Sequence, residues 1–155
     1  MRKSDLITLY FVALLILSIT LIFQSDPGYM DSEFYYLGGR QLIQGSLEIP
    51  VVWNYLDNPT SLPNPIFSYW MPFASIVSAL SMLIFGSSFL RSRILILILA
   101  AGLAPFTYWM AVKITANRFT GFIAGSIAIL SGYYLKFLTI PETILLYMFL
   151  GMLYL

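Results

Sequence analysis

Residues 6–23 read LITLYFVALLILSITLIF, a run of 18 residues without a charge. As an α-helix this run is about 27 Å long, close to the roughly 30 Å hydrocarbon core of a bilayer. Arg2 and Lys3 precede it, and basic residues favour the cytoplasmic side of a membrane segment. A secretory signal is the alternative, but the run is long for one and no A-x-A-like cleavage site follows. We therefore predict an uncleaved anchor with a cytoplasmic N-terminus.

The composition of the whole chain is typical of an integral membrane protein. Of its 155 residues, 59% are hydrophobic and 10% are charged, whereas a soluble domain carries about 25% charged residues. The net charge of +1 provides no basic stripe, so we expect no nucleic-acid partner. The chain has neither cysteine nor histidine, which excludes disulfides, Cys/His zinc sites and histidine acid–base chemistry. Any catalysis must use carboxylates, hydroxyls, amides, lysine or arginine.

Further apolar stretches predict an all-α, multi-pass plasma-membrane protein with four or five transmembrane helices. After the anchor these are an uncharged stretch over 66–85, spans over 94–112 and 119–135, and a last run over 143–155. Pro105 interrupts one of them. Since the last run is still apolar at its end, we expect a truncated unit or one that needs a partner.

The stretch 66–85 admits two topologies. Its hydropathy favours a crossing, which would make Arg91 and Arg93 cytoplasmic. Its proline-rich entry and aromatic residues favour an interfacial or re-entrant helix, which would make Lys113 and Arg118 cytoplasmic instead. Each choice places two basic residues inside and two outside, so charge counting does not decide between them.

The polar region 24–65 predicts an extracytoplasmic loop, because its acidic residues far outnumber its one Arg40. Within it, residues 31–44 predict a short amphipathic helix. Asp31 is expected to cap its start, Glu33 to lie in the first turn, where the helix dipole favours an anion, and Gly45 to end it.

Asp31 and Glu33 are the first candidate site. Two carboxylates this close can bind a divalent cation, and one of them can take a proton from an acceptor hydroxyl. The alternative is that both only stabilise the start of a helix.

Glu142 is the second candidate, because an ionisable side chain in an apolar stretch is costly in a membrane. Its alternative is a headgroup-level residue paired with Lys136. A third group consists of arginines that can hold a lipid phosphate, with ordinary interfacial snorkelling as the alternative. Its members are Arg40, Arg91 and Arg93.

Several stretches occur in a recognisable order. They are PGYMDSEFYYLGGRQLIQG at 27–45, WNYLDNP at 53–59, LPNP at 62–65, YWMP at 69–72, FG at 85–86, RSR at 91–93 and PE at 141–142. The ordered set resembles the N-terminal part of the polytopic fold-C (GT-C) glycosyltransferases, a family of mannosyl- and aminoarabinose transferases that use polyprenyl-phosphate sugars. It is most similar to a subgroup from Chloroflexi-type bacteria.

The resemblance implies an inverting sugar transfer with polyprenyl phosphate as leaving group. It implies that Asp31 is the catalytic base and that Glu33 is its partner, with a divalent cation as a potential cofactor at this pair. Glu142 matches a second acid facing the same extracytoplasmic cavity. The implied partners are a lipid-linked sugar donor and membrane lipids.

Two departures from the family pattern qualify this expectation. Asn64 stands near the place of a histidine often found in the loop, and family members have about two to four times this length, with eight or more spans. We therefore expect a fragment or shortened member that needs the remaining spans or other membrane subunits. The alternative is a non-catalytic subunit, derived from the family, in a larger respiratory or photosynthetic complex.

Overall fold

A computed structural model describes residues 2–48, 65–67, 70–130 and 135–154, and this part of the chain is helical. Its helices are α1 (Lys3–Ile22), α2 (Met30–Ile43), α3 (Phe73–Phe85), α4 (Phe89–Ser92), α5 (Ile94–Ala101), α6 (Leu103–Thr115), α7 (Arg118–Leu130), a 3₁₀ turn (Leu135–Phe137) and α8 (Thr143–Tyr154). The only β pairing among these residues is an isolated antiparallel bridge between Glu48 and Pro65. The all-α class predicted from the sequence is therefore confirmed.

The chain divides into two compact units. Unit 1 comprises Met1–Gln24, Ile96–Thr139 and Ile144–Leu155, and unit 2 comprises Ser25–Leu95 and Ile140–Thr143. In unit 1, α6 packs on α7 and α1 packs on both of them; in unit 2, α2 and α4 pack on α3. Each unit thus has its own helix-on-helix core.

Two helical stretches in the described chain are long and apolar enough to span a membrane. They are Lys3–Ile22 and Phe89–Thr115, and three shorter apolar helices accompany them, namely α3, α7 and α8. Four or five full-length spans are therefore not what the described helices show. The 13 residues of α3 extend only about 20 Å, well short of the roughly 30 Å hydrocarbon core.

The predicted span 94–112 is interrupted, but three residues before Pro105 rather than at Pro105 itself. The interruption lies at Gly102, between α5 and α6, where the Gly102 N–H bonds the Leu99 carbonyl at 3.0 Å. Proline has no N–H to offer the carbonyl four residues earlier, which here belongs to Ala101, and its ring crowds that carbonyl. The first turn of α6 tolerates Pro105 because its N–H groups need no helical partner.

α2 begins one residue earlier than predicted and lacks the predicted cap. Its N-cap is Tyr29, without a side-chain cap, so Asp31 lies in the first turn and the prediction that it caps the helix is wrong. The end of α2 agrees with the prediction. Gly45 has a φ of 75° and its N–H bonds the Leu42 carbonyl at 3.1 Å, a glycine-terminated helix end.

Two glycines bring α2 into close contact with α3. A Cβ added to Gly39 would lie 3.0 Å from the Ser75 carbonyl oxygen and 3.1 Å from the Ala79 nitrogen. A Cβ on Gly38 would lie 2.7 Å from the Ser75 hydroxyl oxygen. Small residues allow two helix backbones to approach this closely, and the contact holds α2 firmly on its neighbour.

In unit 1, α1 and α6 run antiparallel. The Tyr108 hydroxyl donates to the Asp5 carboxylate at 2.6 Å, and the Tyr10 hydroxyl donates to the Ile98 carbonyl at 3.3 Å. Moving forward along α1 therefore means moving backward along the stretch from α5 to α6. The start of α1 and the end of α6 lie at the same end of the unit.

An ion pair adds the start of α7 to this end. Arg118 donates to the buried Asp5 carboxylate through Nε at 3.1 Å and through Nη2 at 2.8 Å. It is the only ion pair among the described residues. The neighbouring Tyr108 hydroxyl, followed by the bonds with Asp5, raises the pKa of the Arg118 guanidinium, which therefore stays charged.

The opposite end of unit 1 is defined by a contact between the end of α1 and the chain after α7. The Thr139 hydroxyl donates to the Gln24 side-chain oxygen at 2.7 Å, and the 3₁₀ turn that carries Lys136 packs on α1. Lys113 and Arg118 thus share an end with Arg2 and Lys3, which is the arrangement that the interfacial alternative for 66–85 requires.

This arrangement predicts which positions label from the same side of a membrane. We expect Ser4→Cys and Asn117→Cys to react with an impermeant thiol reagent from one side, and Lys136→Cys from the other. Because the natural chain has no cysteine, each variant reports on a single site. Labelling of Asn117→Cys from the side opposite to Ser4→Cys would contradict the arrangement.

The ion pair predicts a coupled loss of stability. We expect Arg118→Gln to lower the thermal unfolding midpoint in detergent more than Asp5→Asn does, because it leaves a buried carboxylate without its cation. The combined variant should lose less than the sum of the two, since both changes remove the same interaction. Lys136→Gln, at an exposed position, is the control and should leave the midpoint unchanged. Additive losses would contradict the coupling.

Candidate functional site

Unit 2 contains every side chain that the sequence selects for catalysis or substrate binding. These are Asp31, Glu33, Arg40, Arg91, Arg93 and Glu142. They come from α2, from the junction of α4 and α5, and from the residue that precedes α8. Residues more than 100 positions apart in the sequence thus belong to one compact unit.

Asp31 and Glu33 occupy the first turn of α2. In the described chain neither carboxylate has a hydrogen bond or ion pair, and Glu33 is exposed while Asp31 is partly so. Two carboxylates in this state are able to accept a proton from a bound hydroxyl.

The same geometry disfavours a cation shared by this pair. Residues two apart on a helix do not face each other, so Asp31 and Glu33 point to different sides of α2. Within the described ranges, no group of three or more histidine, cysteine, aspartate or glutamate side chains is arranged to hold a metal. Asp31 and Glu33 by themselves therefore do not form, in the described chain, the divalent-cation site that the resemblance suggests.

Glu142 is buried, with 3% of its surface exposed, and its carboxylate is well supplied with donors. The backbone N–H and hydroxyl of Thr143 donate to Oε1 at 2.7 and 2.8 Å, and the Tyr29 hydroxyl donates to Oε2. Thr143 begins α8, so the carboxylate lies at a helix N-terminus, where an anion is stabilised.

The Tyr29 hydrogen bond brings the two acidic segments together. Tyr29 is the N-cap of α2 and lies two residues before Asp31, while Glu142 comes 113 residues after Tyr29. Sequence reasoning missed this tyrosine as a site residue, although it lies within the quoted 27–45 stretch. Its place just before the acidic turn is the one local signal for it.

The three arginines have different surroundings. Arg40 is exposed and lies 5.9 Å from the centroid of the Tyr36 ring, whereas Arg93 is 1% exposed and stacks 4.1 Å above the Phe89 ring. The negative charge of Asp26, another residue that sequence reasoning missed, attracts Arg93. Arg93 is thus a buried cation, and Arg40 is open to an anionic group.

Arg91 is exposed, and the chain that carries it is anchored to α3. The Ser81 hydroxyl donates to the Arg91 carbonyl at 2.6 Å and accepts the Leu95 N–H at 3.2 Å. The Arg91 side chain lies over Gly86, whose φ of 107° favours glycine. Ser81 therefore fixes the backbone at the junction of α4 and α5, which carries both arginines.

Comparison with protein-family models, with curated proteins and with solved structures finds no match to this chain. The GT-C resemblance therefore remains a prediction. Part of it also falls outside the described residues, namely the stretches at 53–59 and 62–64 and the residue Tyr69.

The hydrogen bond between Tyr29 and Glu142 predicts a measurable cost when its donor is removed. We expect Tyr29→Phe to reduce the free energy of unfolding by about 1–3 kcal/mol, because a buried carboxylate oxygen loses a donor. Tyr154→Phe, at a 92% exposed position, is the matched control and should leave the stability unchanged. Thermal unfolding in detergent measures both, and a Tyr29→Phe variant as stable as the parent would contradict the contact.

Proposed function

We propose that this chain belongs to a membrane glycosyltransferase of the GT-C type, as a shortened member or its N-terminal part, and that it transfers a sugar from a polyprenyl-phosphate donor on the extracytoplasmic side. One observation carries the proposal. The Tyr29–Glu142 hydrogen bond places both acidic segments of the resemblance in a single unit.

Asp31 is the base in this proposal, and Glu142 is a positioning residue. Both oxygens of Glu142 already accept hydrogen bonds, so Glu142 is poorly placed to take a proton. Asp31 makes no such bond in the described chain and is partly exposed, as a base that meets a substrate hydroxyl requires.

The proposed step is a direct displacement. The acceptor hydroxyl gives its proton to Asp31 while its oxygen forms a bond to the anomeric carbon of the donor sugar. The bond from that carbon to the phosphate oxygen breaks, and the polyprenyl phosphate leaves with the electron pair, so that the anomeric configuration is inverted. Phosphate needs no protonation to leave, and exposed cations such as Arg40 and Arg91 would stabilise its charge.

The connection of the acidic loop to the predicted anchor supports an extracytoplasmic site. Ser25 follows Gln24, at the far end of α1 from Arg2 and Lys3. Since basic residues favour the cytoplasm, the loop that carries Asp31 starts on the extracytoplasmic side. We propose a multi-pass plasma-membrane protein that works with membrane lipids and with the remaining spans or other membrane subunits.

The base assignment predicts a specific loss of activity. We expect Asp31→Asn to lower the transfer of sugar from a polyprenyl-phosphate donor by roughly 100-fold or more, the usual contribution of a general base. Glu48→Gln removes another exposed carboxylate of unit 2 and should retain the parent rate. Both rates are measured with radiolabelled donor in membranes that contain the complete gene product. Transfer by Asp31→Asn at the parent rate would contradict the assignment of Asp31 as the base.

A second candidate function is a non-catalytic subunit of a larger membrane complex. A stripe of exposed apolar side chains along α1 favours it, because such a stripe can pack against partner helices as well as against lipid. The stripe consists of Ile7, Phe11, Leu15, Ile19 and Ile22. Stoichiometric co-purification with another membrane complex, with no sugar transfer by the parent chain, would favour this function over the enzyme.

A further inference from the structure

We infer that the basic end of unit 1 binds the phosphate groups of anionic phospholipids. The basic end consists of Arg2, Lys3, Lys113 and Arg118. These residues come from the start of α1, the end of α6 and the start of α7, and the bonds of Asp5 to Tyr108 and Arg118 bring the three helix ends together.

The charge of this end is strongly positive for so apolar a chain. It contains four of the eight lysines and arginines, against a single acid, Asp5, so this end of unit 1 has a net charge of 4 − 1 = +3. Because Asp5 is buried and paired with Arg118, its negative charge neutralises that one cation. Arg2, Lys3 and Lys113 remain exposed.

One of these cations is held by an aromatic ring suited to the membrane surface. The Lys113 ammonium lies 4.2 Å from the centroid of the Trp109 ring, a cation–π contact. Tryptophan prefers the headgroup level of a bilayer, so the contact holds Lys113 where lipid phosphates lie.

Apolar side chains surround the cations and identify the anion as a lipid. Ile7, Ile114 and Phe119 are 57%, 77% and 73% exposed, and they belong to the same three helix ends. A free phosphate ion has no apolar surface to place against these side chains. A phospholipid does, because its acyl chains can contact them while its headgroup contacts the cations. The inference requires a membrane-embedded unit 1 but is independent of the glycosyltransferase proposal.

The test compares retained lipids on the purified protein. The chain is extracted from mixed phosphatidylcholine and phosphatidylglycerol bilayers, and native mass spectrometry counts the lipids of each kind that remain bound. We expect the parent to retain phosphatidylglycerol preferentially. The preference should fall by about fivefold for each cation removed near a membrane surface. It should therefore fall in Lys113→Gln and fall further in the double variant Arg2→Gln/Lys3→Gln. It should also weaken as the salt concentration rises.

Lys136→Gln is the matched control, because it removes a lysine from the opposite end of unit 1 and should keep the preference. Arg118 is left in place so that the bonds of Asp5, and with them the fold, remain intact. Equal retention of the two lipids by the parent would overturn the inference, as would an unchanged preference in Lys113→Gln. Displacement of the bound lipid by inorganic phosphate at equal concentration would overturn the assignment to lipid in favour of a free-anion site.

Discussion

The buried carboxylate of Asp5 must be neutralised where it lies, and this requirement sets the arrangement of three helices. A carboxylate withdrawn from water is costly unless it is paired and fully hydrogen-bonded. Tyr108 and Arg118 meet the requirement together, one from α6 and one from the first residue of α7. These bonds join the start of α1 to α6 and to the start of α7, in addition to the packing of α1 and α7 on α6.

Two carboxylates of unit 2, one buried and one partly exposed, differ in their hydrogen-bond partners. Glu142 is buried and receives donors from Tyr29 and Thr143, so its charge is stabilised and fixed in place. Asp31 lies in the first turn of a helix that packs closely on α3 through Gly38 and Gly39, yet its own carboxylate has no hydrogen bond or ion pair in the described chain. A carboxylate that the fold holds in position, but that has no hydrogen-bond partner of its own, is available to a substrate.

Local pattern was enough to predict the all-α class, the long apolar helix at α1 and the end of α2 at Gly45, since these depend on apolar runs and on the conformational freedom of glycine. The contacts that align the helices could not be predicted from local pattern. Asp5 meets Tyr108 and Arg118 across 103 and 113 residues, and no periodicity in the sequence encodes such pairings. Asp31 also failed as a predicted cap, because α2 starts earlier, at Met30, where no side chain caps it.

The interruption at Gly102 has a consequence for the bilayers that would suit the chain in the membrane setting proposed above. The uncharged stretch 94–112, between Arg93 and Lys113, is about 28 Å long as a straight helix, close to the roughly 30 Å hydrocarbon core. Where a bilayer is thinner than a helix, the helix tilts, bends or deforms the lipid. A helix already divided before Pro105 can bend at that point, so thinner membranes become tolerable.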